Sequence, residues 1–227
     1  MADVPYGSAV GALLYLATST RPDISYAVST LCRFIAAPGN AHWLAVKHLF
    51  RYLQGTKDAR LVYRRDAFDP TALFSSFVDA DHAGNPDNGR STGGYVLLIA
   101  GGAVSWSSRL QSITVLSTTE AKYVSAVDAG KDVIWMRQLL GELGFTLDSP
   151  SALRMDNQSA ISVAKNPEHH GRMKHLDLRF YWLRDAVDDG RIAPVFVPTS
   201  AQVADIFTKA LVPADMQRCR ELLGIVV

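Results

Sequence analysis

Leu73-Phe-Ser-Ser-Phe-Val-Asp-Ala-Asp81 is the stretch on which the fold turns: an apolar run of strand length that stops on Asp-Ala-Asp. Alternation with period two puts Asp79 and Asp81 on one side of that strand and Val78 on the other. Two further runs follow, Gly94-Tyr-Val-Leu-Leu-Ile-Ala100 and Ala103-Val-Ser-Trp-Ser107, which read as a hairpin around Gly101-Gly102. A long helix is predicted over residues 117–143, with Trp135, Leu139 and Leu143 four apart on one face. Strands are expected at 152–155 and 193–197, with short helices at 159–164, 176–187 and 203–210 and a last helix after Pro213. Three consecutive strands, a long helix, then strand and helix alternation describe a mixed α/β layer fold.

Upstream the period is helical. Val10, Leu13, Leu14 and Ala17 make one apolar stripe, Ile24, Val28, Leu31 and Ile35 a second, and Trp43, Val46, Phe50 and Leu53 a third. Pro22 suits a first helical turn, and Pro38-Gly39-Asn40 separates the second helix from the third. The expected division is therefore a helical segment over 1–65 and an α/β domain over 66–227. Net charge is +1 over 227 residues, but residues 1–65 hold eight basic side chains against three acidic ones. A basic segment beside a carboxylate-rich remainder suits a grip on a phosphate backbone, or simply a solvated helix face.

Four carboxylates stand in distinct contexts: Asp79 and Asp156 at the ends of strands, Glu120 and Asp205 at the starts of helices. Converging carboxylates repel unless cations lie between them. Oxygen ligands with no nearby thiolate suit Mg²⁺ or Mn²⁺ better than Zn²⁺. Two such ions about 3.5–4 Å apart can stabilise both the attacking and the leaving oxygen of a phosphodiester. Each residue also has a plainer reading. Ser117-Thr-Thr-Glu120 is a capping box, Asp156 or Asn157 can cap a helix, Asp79 can open a turn, and Asp205 favours a helix dipole. Asp156-Asn-Gln158 allows Asn157 and Gln158 to reach a sugar or groove edge, and Arg90 in Gly89-Arg-Ser-Thr-Gly-Gly94 is a candidate phosphate contact.

Other chemistries lack their signals. No apolar run reaches the ~18–20 residues that cross a bilayer, and no membrane partner is expected. Cys32 and Cys219 have no metal-ligand spacing and read as reduced core positions, consistent with an intracellular setting. His169, His170 and His175 form the one histidine cluster, without a cysteine near it. A nucleophile elbow and Gly-rich phosphate loops are both missing.

The order of motifs resembles the C-terminal end of copia-type retrotransposon Pol polyproteins: the last helices of the reverse transcriptase, then ribonuclease H. The likeness rests on Tyr6-Gly-Ser-Ala-Val-Gly-Ala-Leu-Leu-Tyr-Leu-Ala17, Thr20-Arg-Pro-Asp-Ile24, Arg51-Tyr-Leu-Gln-Gly-Thr56 and Val78-Asp-Ala-Asp-His-Ala-Gly84. It continues through Arg90-Ser-Thr-Gly-Gly-Tyr95, Ser117-Thr-Thr-Glu-Ala-Lys-Tyr123, Asp156-Asn-Gln158, Lys174-His-Leu-Asp177 and Val203-Ala-Asp-Ile-Phe-Thr-Lys209. The resemblance implies a ribonuclease H-like five-stranded mixed sheet flanked by helices. It assigns Asp79, Glu120, Asp156 and Asp205 as catalytic and metal-binding, with two Mg²⁺ ions (Mn²⁺ as a substitute) and an RNA–DNA hybrid as substrate. Contacts to 2′-hydroxyls would restrict cleavage to the RNA strand. The polymerase aspartates would lie upstream of Met1, so no polymerase activity is expected here, and residues 6–56 are a candidate contact to that upstream region. The chain departs from the pattern in three places. Residues 196–204 lack the loop histidine of cellular ribonucleases H, Tyr181 stands where copia members often have histidine, and His82 stands where tryptophan is common. These departures leave open a catalytically weak nucleic-acid-binding remnant or a partner-dependent scaffold.

Overall fold

The computed structural model describes residues 4–67, 69–70, 72–166 and 177–226, with the side chains of 177–180 excepted. The histidine cluster and most of Lys174-His-Leu-Asp177 lie outside the described residues.

Three helices open the chain: α1 (Tyr6–Ser19), α2 (Ser25–Cys32) and α3 (Asn40–Gly55), with a 3₁₀ turn at Pro22–Ile24 between the first two. They bury Tyr6, Val10, Leu13, Ile24, Val28 and Val46 in a core of their own. Part of each predicted stripe fails: Leu14, Ile35 and Phe50 are exposed. Ile35 lies beyond the end of α2, and in α3 the inward position falls to Leu49 rather than to Phe50. A short strand β1 (Arg60–Leu61) leads out.

The expected five-stranded mixed sheet is present. Its strands are β2 (Ser75–Ala80), β3 (Thr92–Ile99), β4 (Gly102–Leu110), β5 (Ser151–Met155) and β6 (Ile192–Phe196). Their order across the sheet is β4-β3-β2-β5-β6. The first three pair antiparallel, whereas β2–β5 and β5–β6 are parallel. The β3–β4 turn centres on Ala100 and Gly101, both at positive φ, one residue earlier than the sequence placed it. Positive φ at both central residues twists a two-residue turn to match the strands.

One face of the sheet carries α4 (Thr118–Glu142), α5 (Gln158–Lys165) and α6 (Asp177–Asp188), packed over Val78, Leu97, Leu153 and Ile192. The inward face of α4 is built from small residues such as Ala121, Val124, Ala129 and Val133, while Trp135 and Leu143 are exposed. The opposite face holds a 3₁₀ turn (Val203–Phe207), then α7 (Pro213–Leu222) and β7 (Ile225–Val226), over Val96 and Ala103. The helix expected at 203–210 is thus only a short turn. Buried Gln202 caps it, its Oε1 accepting from Ala204 N at 3.1 Å while its Nε2 donates to Val78 O at 3.0 Å. Both side-chain groups are tied to backbone, so the turn is pinned to β2.

The helical segment is docked on the α/β domain. Trp106 Nε1 donates to Ala17 O at 2.8 Å, Arg33 Nη2 to Thr92 Oγ1 at 3.3 Å, and β1 pairs antiparallel with β7.

Candidate carboxylate site

Asp79 is the penultimate residue of β2, beside Gly94 of β3 in register. A Cβ on Gly94 would collide with Phe207 Cβ and sit 3.0 Å from Thr208 Cγ2. The bare glycine therefore lets the 203–207 turn settle against the sheet edge, bringing Asp205 to Asp79. Asp156 enters from the end of β5, the strand parallel to β2. Oxygens of Asp79, Asp156 and Asp205 all lie within 4.8 Å of one another. Three of the four sequence-predicted carboxylates thus converge.

Glu120 does not join that group. It is buried in the first turn of α4, where Ser117 Oγ accepts from Glu120 N at 3.2 Å and Glu120 Oε2 accepts from Leu116 N at 2.8 Å. The capping reading of this residue is the one the local geometry displays. Asn157 likewise caps α5, its Oδ1 accepting from Ala160 N at 2.8 Å, while Gln158 is exposed on the first turn. Arg90 closes a polar turn, its N–H donating to Asn88 Oδ1 at 3.0 Å and its carbonyl accepting from Asn85 N at 3.1 Å. Asp81 accepts from Thr92 N, and burial raises its pKa.

Charge around the three carboxylates is partly balanced from within. Lys122 Nζ donates to Asp79 Oδ1 at 2.6 Å and also to Asp156 Oδ1. Burial alone would lower the pKa of Lys122, but the two carboxylates outweigh it and the net shift is upward. Thr208 Oγ1 donates to Asp79 Oδ2 at 2.6 Å, and Thr199 Oγ1 to Asp156 Oδ2 at 3.2 Å. Lys209 reaches Asp205 Oδ2 at 2.9 Å, but Asp205 Oδ1 is buried with no hydrogen-bond donor among the described residues. Burial, reinforced by the negative charge of Asp79 and opposed by Lys209, pushes the Asp205 carboxyl up to about 6. A buried carboxylate oxygen without a donor, among three hard oxygen donors and no thiolate, fits a divalent cation such as Mg²⁺ or Mn²⁺.

The residue roles of Lys122, Thr208 and Gln202 were not singled out in the sequence. Each lies within or beside a quoted motif. Lys122 is two residues past Glu120 on a helix that starts at the carboxylates, which was the one available signal.

A three-strand antiparallel meander continued by two parallel strands, with aspartates at the ends of the first and fourth, defines a ribonuclease H-like α/β fold. Sequence relatives place the chain more narrowly. It is 43% identical over 225 residues to the retrovirus-related Pol polyprotein from transposon TNT 1-94 of Nicotiana tabacum, covering 99% of this chain and 17% of that protein. The Pol polyprotein from transposon RE2 of Arabidopsis thaliana is 38% identical over 221 residues, covering 97% of this chain and 15% of that protein. Secreted RxLR effector protein 161 of Plasmopara viticola is 42% identical over 136 residues, 60% of this chain and 94% of that protein. The chain is a homologue of part of retrotransposon Pol polyproteins of the copia and Ty1 type. It spans about a sixth of the two transposon polyproteins. No protein-family model matches. Among solved structures, LC11-RNase H1 isolated from compost matches at 18% identity and a TM-score of 0.45, over 60% of this chain and 93% of that one.

Proposed function

We propose that this chain is the ribonuclease H part of a retrotransposon reverse transcriptase, preceded by the helical end of the polymerase, and that it cleaves the RNA strand of RNA–DNA hybrids with Mg²⁺ or Mn²⁺. The observation that carries this reading is the convergence of Asp79, Asp156 and Asp205 around a buried Asp205 oxygen that no donor among the described residues reaches. When bound, the metal supplies activation of water and charge stabilisation at the leaving oxygen. Thr208 and Thr199 orient the Asp79 and Asp156 carboxylates by their hydroxyl donors. Glu120, at the start of the helix that carries Lys122, stands as the fourth carboxylate of the set. Arg90, Asn157 and Gln158 are the proposed substrate contacts. The Asn157 carbonyl oxygen is engaged by α5, so its amide N–H groups are what it can offer a phosphate or sugar.

The proposed partner is an RNA–DNA hybrid; no helix of the described residues is long and apolar enough to cross a membrane. The test is cleavage of a labelled RNA–DNA hybrid in Mg²⁺ or Mn²⁺ by the wild-type chain and by Asp79→Asn. Cleavage that falls at least 100-fold in the variant is the expected result. A folded wild-type chain that cuts nothing in either metal sinks the enzymatic reading.

The ion pairs of Lys122 with Asp79 and Asp156 favour a second reading, a nucleic-acid-binding remnant whose carboxylates are partly neutralised from within. Binding of the hybrid without cleavage would identify it.

A further inference from the structure

We infer that the guanidinium of Arg33, just past the end of α2, is a substrate contact that grips a backbone phosphate of the bound hybrid close to the scissile one. The inference rests on the hybrid-cleaving reading above and adds to that site a residue of the helical segment.

Asp79 stands beside Gly94 of β3, and the space over Gly94 is filled by Phe207 and Thr208 of the Asp205 turn. Thr92 lies two residues back along β3, about 7 Å from Gly94, and its side chain leaves the sheet on the same side. Thr92 Oγ1 accepts from Arg33 Nη2 at 3.3 Å, and Thr92 N donates to Asp81, two residues beyond Asp79. Arg33 therefore stands at the strand ends that carry Asp79, on the side of the sheet that carries the Asp205 turn. One strand of a duplex rises about 3.4 Å per nucleotide. A phosphate at Arg33 is thus about two nucleotides from a phosphate held at Asp79.

The Arg33 side chain has donors to spare. A guanidinium offers a fork of N–H groups, and among the described residues Arg33 commits one of them, to a neutral hydroxyl. It pairs with no carboxylate among those residues, and it is half-buried. Arg21 shows what a purely architectural arginine looks like in the same segment. It is buried and bound to both Asp23 oxygens and to Thr56 Oγ1.

Charge supplies the reason for a cation at this place. Asp79, Asp81 and Asp205 repel an approaching phosphate, and an arginine at their edge offsets that repulsion while holding phosphate oxygens two at a time. The bond from Trp106 to Ala17 O fixes the helical segment against the sheet, so the grip would also set the register of the substrate.

The test uses the whole chain with Arg33 intact, with Arg33→Gln, with Arg33→Met and with Arg33→Lys, each checked for folding by circular dichroism and urea midpoint. Binding of a labelled RNA–DNA hybrid is read by fluorescence anisotropy at several salt concentrations, in the Asp79→Asn background so that the hybrid stays whole. Cleavage is read without that substitution. The neutral variants should bind about fivefold more weakly and lower the slope of log affinity against log salt by about 1. Their KM should rise while kcat stays within about twofold, and Arg33→Lys should restore the salt slope. Single methylphosphonates in the DNA strand, and 2′-O-methyl methylphosphonates in the RNA strand, should reveal one linkage that matters to the Arg33 chain and not to Arg33→Gln. That linkage names the strand that is gripped.

An unchanged salt slope and KM in a folded neutral variant overturn the inference and leave the nuclease reading standing. A wild-type chain that neither binds nor cuts the hybrid overturns both. Should neither neutral variant fold, Arg33 is architectural and the inference falls.

Discussion

Trp106 on β4 donates its indole N–H to the carbonyl of Ala17 in the last turn of α1 at 2.8 Å, a bond that spans 89 residues of chain. It holds the helical segment against the outer strand of the sheet. Trp106→Phe keeps most of the ring packing and removes the donor, leaving a part-buried carbonyl to find water. A loss of about 1 kcal/mol is expected, read as a lower urea midpoint at unchanged slope. An unaltered midpoint would mean that this contact contributes nothing to docking.

Asp23 anchors a larger network. Arg21 bonds it through Nε at 2.9 Å and Nη2 at 2.8 Å, Tyr52 Oη donates to it at 2.6 Å, and Arg220 of α7 stands 4.0 Å away. Burial, then the neighbouring Asp23 charge, raises the Tyr52 phenol far above its usual pKa. Asp23→Ala leaves Arg21 buried without its bidentate partner, and a cost of about 3–5 kcal/mol is expected. Chemical denaturation measures it; a loss below about 1 kcal/mol would show the network to be dispensable.

Gly94→Ala tests the close approach of the Asp205 turn. The added methyl meets Phe207 and Thr208, so the turn must shift away from β3. Destabilisation of about 1–3 kcal/mol is expected, together with weaker Mn²⁺ binding because Asp205 and Thr208 move with the turn. Wild-type Mn²⁺ affinity in a folded Gly94→Ala chain would contradict this account of the glycine.

Asp205 sets a pH dependence in the metal-free chain. Its folded-state pKa, about 6, lies above the ordinary carboxylate value. Stability from such a group is fully present below the unfolded pKa and is lost as pH rises through the folded one. In chelator, Asp205→Asn should therefore gain on wild type between pH 4 and pH 8, by about 1–3 kcal/mol. Thermal melts at the two pH values check it, and parallel behaviour of the two proteins would refute it.

The strands and the aspartates were legible because the signal is local: Asp79 and Asp156 end apolar runs, and Asp205 opens a short motif. What was not legible depends on contacts across the chain. Thr208 reaches Asp79 over 129 residues, and nothing near either one announces it. The same holds for Gly94, whose neighbour is Phe207. The face of α4 was misread for a different reason. Half of the buried positions of α4 are Ala or Val, so the exposed Trp135 and Leu143 dominate the apolar pattern of the sequence. Glu120 carried two local meanings, and the structure displays the cap. The motifs around Arg21 and Tyr52 suggested no chemistry by themselves, and their role proves architectural.

The pairing of Arg60–Leu61 with Ile225–Val226 has a consequence for how the molecule is made. The helical segment is translated before the α/β domain, yet the strand that clasps it to the rest is made only after all five strands of the sheet, following the α7 arginine that faces Asp23. Until then its docking surface has no complete counterpart. A nascent chain stalled before residue 220 should hold this segment only through its Trp106 and Arg33 contacts, and full docking waits for α7 and β7.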